Sequence, residues 1–204
     1  MTYDVTIITV RPGTHPLALA KLEASLPTAP MSGKLLACWF SEIGAVNRIL
    51  LLRGCEDEAR LVAERAALLA SRDPFGLGDL VTGMSMDTYV PFPMRETIAP
   101  GHLGPVYEVR SYELKPDGLG PTIALWRQAV PAREKISPLI AAMYSVTGTV
   151  TRFMHVWAYK NLDERHLLRA KAAADGVWPP PGGPDHLRSQ QVDIYLPARF
   201  SPLR

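Results

Sequence analysis

Two short segments of this 204-residue chain hold the side chains best suited to chemistry. In the first, Glu108-Val109-Arg110-Ser111-Tyr112, the strand period of two places Glu108, Arg110 and Tyr112 on one face. In the second, Phe153-Met154-His155-Val156-Trp157-Ala158-Tyr159, it places Phe153, His155, Trp157 and Tyr159 together, opposite Met154, Val156 and Ala158. Apolar walls with a few convergent polar groups make a small-molecule pocket, so the two sets form a candidate ligand cavity. Within it, an imidazole near its usual pKa makes His155 the candidate general acid or base, and Arg110 is suited to holding a carboxylate or enolate oxygen. The same residue types also suit a plain core, where aromatics pack between sheets, His155 is merely hydrogen-bonded and Glu108 and Arg110 are strand-surface charges. The smaller set, Met154, Val156 and Ala158, suits packing beneath helices. That assignment aims the aromatic set at a sheet interior.

Other chemistries find little footing. The five histidines, His15, His102, His155, His166 and His186, are scattered without H-x-x-x-H or C-x-x-C spacing, so no metal site is expected. Haem needs a single axial histidine, and His155 is the one that could serve; otherwise no cofactor is expected. Gly76-Leu77-Gly78 is not followed by a helix pattern, which disfavours nucleotide binding, and no G-x-S-x-G elbow presents a nucleophilic serine. Lysine and arginine number 22 against 20 acids, a net charge of +2 with no basic patch, so a nucleic-acid partner is not expected. Apolar runs fall short of the ~20 residues of a membrane span, and the acidic, alternating start Met1–Val10 does not read as a leader. Two cysteines, Cys38 and Cys55, read as unlinked reduced thiols of a cytoplasmic protein.

The elements that position these residues come from an internal repeat. Adding 104 to a first-half position gives the same residue at Tyr3/Tyr107, Val5/Val109, Pro12/Pro116, Ala20/Ala124, Pro27/Pro131, Leu35/Leu139, Ala37/Ala141, Ser41/Ser145, Gly44/Gly148, Val46/Val150 and Arg48/Arg152. Chance would supply roughly three such identities. Asp87-Thr88-Tyr89 matches Asp193-Ile194-Tyr195 at an offset of 106. The chain therefore divides into a first repeat at 1–92, a Pro/Gly-rich linker at 93–104 and a second repeat at 105–204.

Each repeat reads β-α-β-β-α-β. In the second, the strand 107–114 ends at a turn, and 119–135 carries a helical stripe that Pro131 should end or kink. Segments 139–145 and 150–159 are strands about a turn at Gly148, Asn161 and Glu164 open a helix that Gly176 stops, and 190–196 is the last strand. Arg48 and Arg152, just after the Gly turns, read as strand-end anchors, and Trp126 and Trp178 as helix-face and loop anchors. The order is the ferredoxin-like split βαβ unit, whose sheet has helices on one face only. Setting the two bare faces together in an α+β barrel covers both within one chain; an open pair covered by another subunit is the rival.

The segments Val106-Tyr107-Glu108-Val109-Arg110-Ser111-Tyr112-Glu113-Leu114-Lys115-Pro116 and Phe153 to Arg165 resemble the NIPSNAP family pattern Y-E-x-R-x-Y-x-L-K-P-G followed by H-x-W-x-Y-x-x-x-x-x-R. Asp117-Gly118 stands where the family has a single Gly. The resemblance implies a dimeric α+β barrel, a superfamily that houses monooxygenases, isomerases and haem peroxidases, and a homo-oligomer formed through sheet edges or helices. The first repeat departs further, with Leu51, Arg53 and Cys55 opposite His155, Trp157 and Tyr159. A family site therefore belongs to the second repeat. Two functions follow as expectations: an oxygenase or isomerase acting on a small hydrophobic molecule, or a non-catalytic ligand-binding or protein-interaction module.

Overall fold

The computed structural model describes residues 1–29, 31–95 and 97–204. The first repeat runs β1 (Thr2–Val10), α1 (His15–Ser25), β2 (Lys34–Ile43), β3 (Arg48–Cys55), α2 (Glu58–Ala70) and β4 (Val81–Pro91). The second runs β5 (Val106–Leu114), α3 (Leu119–Arg133), β6 (Leu139–Ser145), β7 (Arg152–Tyr159), α4 (Leu162–Ala174) and β8 (Leu187–Pro197). This is the βαββαβ order expected of each repeat. Local chemistry sets the helix ends: the Asn161 side chain accepts from Glu164 N at 2.7 Å and Glu164 accepts from Lys160 N at 2.6 Å, closing the start of α4. Pro131 neither ends nor breaks α3 on the spot. It lies two residues from the helix end, where its missing N–H costs one bond.

All eight strands join in one antiparallel barrel, β1-β3-β2-β8-β5-β7-β6-β4, so the bare face of each sheet covers the other. The seams are pseudo-twofold copies. Ser41 of β2 pairs with Tyr195 of β8, and Ser145 of β6 pairs with Tyr89 of β4. Beside them, Gly44 lies against Asp193, and Gly148 lies against Asp87, both at positive φ. Much of the sequence repeat thus marks the joint between the repeats. A closed barrel leaves no sheet edge for pairing with another chain, so the edge route to an oligomer is gone.

The interior is lined from both repeats by Tyr3, Val5, Trp39, Leu50, Tyr107, Val109, Met154, Val156, Ala158 and Tyr195. This reverses the facing inferred from side-chain size: Met154, Val156 and Ala158 point inward, and Phe153, Trp157 and Tyr159 lie in the layer beneath α3. The interior of an eight-stranded barrel is only just wide enough for side chains, whereas the space beneath the helices takes the larger rings of β7. The segment expected to be a linker packs on the barrel. Gly101 pairs with Leu203 in a parallel bridge, Leu103 N donates to Arg204 O at 2.8 Å, and Trp39 Nε1 donates to Leu203 O at 2.9 Å. Ile98 and Leu203 join the interior cluster and close one end.

Cys38 and Cys55 are buried free thiols. Among the described residues no helix is long and apolar enough to cross a membrane.

Replacing Gly44 by Ala would push a Cβ into the Asp193 carboxylate at a φ of +102°. We expect a loss of about 1–3 kcal/mol, read as a lowered urea midpoint. An unchanged midpoint would mean that the seam does not depend on this close approach.

Candidate functional site

The face of β5 and β7 opposite the barrel interior meets α3, α4 and the Pro-rich loop after α4, and there the second repeat encloses a cavity of about 250 Å³. Arg110, Tyr112, Phe153 and His155 line it as expected from the sequence, although it lies on the helix side of the sheet and not inside the barrel. Glu108, Trp157 and Tyr159 are brought to the same face but stand behind the cavity wall, holding the residues that form it. Thr122 and Trp126 of α3, Arg169 of α4, Trp178 with the prolines of the loop, and Leu187 and Gln190 of β8 also line it. Trp126 and Trp178 meet edge to face at 4.7 Å and so serve as cavity walls as well as packing anchors.

Register explains the convergence. β5 and β7 pair so that Arg110 lies beside His155, Glu108 beside Trp157 and Tyr112 beside Phe153. Each pair projects to the same side. Glu108, fully buried, gathers three guanidiniums: Arg110 Nη1 at 2.6 Å, Arg169 Nη1 at 3.0 Å, and Arg165. Burial alone would raise its pKa, but the arginines, led by Arg110, outweigh burial and hold the carboxyl below its usual range. Arg110 Nε also donates to Tyr112 Oη. With both its carboxylate oxygens engaged, Glu108 acts as an anchor and leaves the surroundings cationic.

His155 is 1% exposed, boxed by Trp126 at 4.7 Å, Tyr112 at 5.0 Å and Phe153 at 5.4 Å between ring centroids. Burial, then the charges of Arg110, Arg169 and Arg133, push its pKa well below 6.5. The premise for a general acid or base near neutrality is therefore absent, and the ring is neutral at pH 7. Trp157 Nε1 lies 2.8 Å from Nδ1 of the imidazole. An indole nitrogen only donates, so Nδ1 accepts and the proton sits on Nε2. That Nε2 is buried and has no hydrogen-bond partner in the protein; neither has Thr122 Oγ1. Two residues that line the cavity thus each carry a buried polar atom without a partner.

The same tautomer bears on haem. An axial histidine offers the iron a lone pair on one nitrogen and carries its proton on the other. Here the lone pair on Nδ1 is taken by Trp157 and Nε2 carries the proton, so His155 as held does not fit an axial ligand. Among the described residues no group of three or more His, Cys, Asp or Glu is placed to hold a metal.

The first repeat shows the same frame with different side chains beneath its helices. Asp4 occupies the place of Glu108, fully buried, and pairs with Arg53 Nη2 at 2.8 Å and with Arg65, the repeat mate of Arg169. Leu51 replaces His155, Arg53 replaces Trp157, and Ile8, Leu22, Ile49, Phe75 and Leu77 pack the space beneath α1. The acid on the first strand and the arginine on the second helix are common architecture. The aromatic-walled cavity belongs to the second repeat, whereas the hollows on the helix side of the first are lined mainly by aliphatic and small polar side chains. Sequence reasoning passed over Arg169 although the pair Arg65/Arg169 keeps the offset of 104, and Arg165 although it closes the H-x-W-x-Y pattern.

The family model described as NIPSNAP matches the chain twice, over residues 3–93 and 107–202. A protein NipSnap homolog from Dictyostelium discoideum is 24% identical over 152 residues, covering 70% of this chain and 65% of that protein. The chain thus spans about two thirds of that relative's length. A solved structure described as an anthrone oxidase-like protein superposes on 97% of this chain and 91% of its own with a TM-score of 0.68 at 10% identity. A putative monooxygenase from Lactobacillus acidophilus covers 96% of this chain and 92% of its own with a TM-score of 0.65, also at 10% identity. At that identity the likeness is one of fold.

His155 should mark the pH dependence of stability. Its pKa is 6.5 or so when unfolded and well below that when folded, so as pH falls through 6.5 the unfolded chain gains a proton that the folded one does not. Its contribution is complete above that pH and declines below it by up to about 1.4 kcal/mol per unit. Glu108, lowered from 4.5, adds a separate loss only at more acidic pH. Urea midpoints from pH 7.5 to 5 should fall in the parent and fall less in His155→Gln; parallel curves would contradict a neutral buried imidazole.

Proposed function

The chain belongs to the NIPSNAP family, and from the geometry of its second repeat we propose that it binds a small hydrophobic molecule bearing an enolisable carbonyl or phenol. The bound molecule is then converted in an isomerase- or oxygenase-type reaction. One observation carries the reading: His155, whose buried Nε2–H has no partner in the protein, lines a 250 Å³ cavity whose wall also holds Arg110 and Arg169. A neutral donor beside fixed cations is suited to an oxygen that gains charge during reaction, since it is already oriented and needs no proton of its own to arrive. Aromatic walls from Tyr112, Trp126, Phe153 and Trp178 take the hydrophobic body.

Isomerase and oxygenase chemistry share the first step that this site serves. A C–H or O–H proton passes to a solvent or buffer base, the electron pair moves onto oxygen, and His155 with the arginines holds the resulting oxyanion. Reprotonation at a different atom completes an isomerisation; dioxygen, as co-substrate, would complete an oxygenation. Trp157 is a positioning residue, because it fixes which imidazole nitrogen carries the proton.

Phenylpyruvate combines an aromatic ring, a carboxylate and an enolisable ketone, and is the probe of choice. Added protein should speed exchange of its C3 protons in D2O, and His155→Phe should lower that acceleration about a hundredfold. Binding, followed through Trp fluorescence, should survive this substitution better than exchange does. Binding without exchange would favour the non-catalytic ligand-binding reading; neither binding nor exchange, across a panel of aromatic ketones and phenols, would overturn the proposal.

A further inference from the structure

The inside of the barrel is a cup. Trp39 stacks on Tyr107 at 4.3 Å toward the end that Ile98 and Leu203 close. Toward the other end the inward positions change character: β5 runs Tyr107, Val109, Ser111, and β8, in the opposite direction, runs Tyr195, Asp193, Gln191. They surround a cavity of about 340 Å³ with Val5, Leu50, Val109 and Met154 as its apolar lining and Arg48, Arg152, Asp87 and Asp193 as its charged one. It shares no lining residue with the helix-side cavity, because the two use opposite faces of the same strands.

The charged residues are repeat mates, Arg48 with Arg152 and Asp87 with Asp193, but they are unequally engaged. Asp87 Oδ2 lies 2.8 Å from Arg152 Nη2. Asp193 accepts from Ala45 N at 2.8 Å and from Gln191 Nε2 at 2.9 Å. Both acids are therefore committed to protein groups. Arg48 forms no ion pair among the described residues, and Arg152 Nε is buried without a hydrogen-bond partner. Two guanidiniums thus keep donors to spare, while Asp87 and Asp193 are already engaged by Arg152, Ala45 N and Gln191.

Outside the polar rim stand exposed aliphatic side chains. Ile43, Val46, Val146 and Val150, in or beside the hairpin turns that precede Arg48 and Arg152, are all about half exposed or more. Val46 and Val150 are themselves repeat mates. We propose that the barrel interior is a second binding site, for a small amphipathic carboxylate whose chain lies on Val5, Leu50, Val109 and Met154 and whose head is held by Arg48 and Arg152. The volume, near the low end of the roughly 300–1,000 Å³ of ligand pockets, selects medium chains over long ones.

The test uses the full chain and 8-bromooctanoate. A co-crystal should place the bromine's anomalous signal among Val5, Leu50, Val109 and Met154, and calorimetry should show at least tenfold weaker octanoate binding in Arg48→Met. Arg48 is only partly buried at a strand start, and an unchanged thermal midpoint would confirm that the variant folds. His155→Phe should leave this binding unaltered, which separates its outcome from that of the helix-side reading. Bromine found only beneath α3 and α4, no bromine density at all, or equal affinity of Arg48→Met and parent would overturn the proposal.

Discussion

A four-stranded sheet with both helices on one side has a second face that water cannot be left to cover. Each repeat of this chain presents that face, and each covers the other's, so the closed barrel is the common solution to two identical problems. The rest of the architecture follows. Closure needs two seams, and the residues that make them, Ser41 and Tyr195 on one and Ser145 and Tyr89 on the other, are held alike in both halves. Closure also leaves two open ends. One is sealed by pairing the inter-repeat segment with the chain's last residues, while the other stays polar and hollow.

Because the barrel supplies the shared core, the outer faces of the two sheets can differ. Both retain a buried acid on the first strand tied to an arginine on the second helix, Asp4 with Arg65 and Glu108 with Arg169. Around this common tie the first repeat packs aliphatic side chains beneath α1, and the second builds a hollow with aromatic walls. The tie serves different ends in the two settings. In the first it engages Arg53, which stands in the place of Trp157; in the second it gathers Arg110 and Arg169, whose charge adds to burial in keeping His155 neutral.

Element order, the repeat and the barrel were legible because they depend on periodicity and on covering an exposed face. The grouping of Arg110, Tyr112, Phe153 and His155 was legible too, since alternation along paired strands requires no knowledge of which side is which. The side itself was not. Both faces of β7 are buried, so hydrophobicity does not distinguish them, and size misled because the large rings of this strand go beneath helices rather than into a narrow barrel. Trp178 reaches the cavity from an irregular loop, whose path no period encodes. The low pKa of His155 depends first on its burial and then on Arg110, Arg169 and Arg133, brought together only by folding.

The aromatic cavity of the second repeat has no copy among the described residues of the first, and it carries a cost. An empty space in a packed layer forgoes roughly 24 cal/mol for each Å³, so the 250 Å³ cavity could sacrifice as much as about 6 kcal/mol, an upper figure because the space opens toward solvent. That is comparable with the whole stability of an ordinary domain, about 5–15 kcal/mol. In a barrel assembled from two identical chains every such hollow would exist twice. Fusing the halves into one polypeptide lets them mutate separately, so this cavity and its cost are carried once.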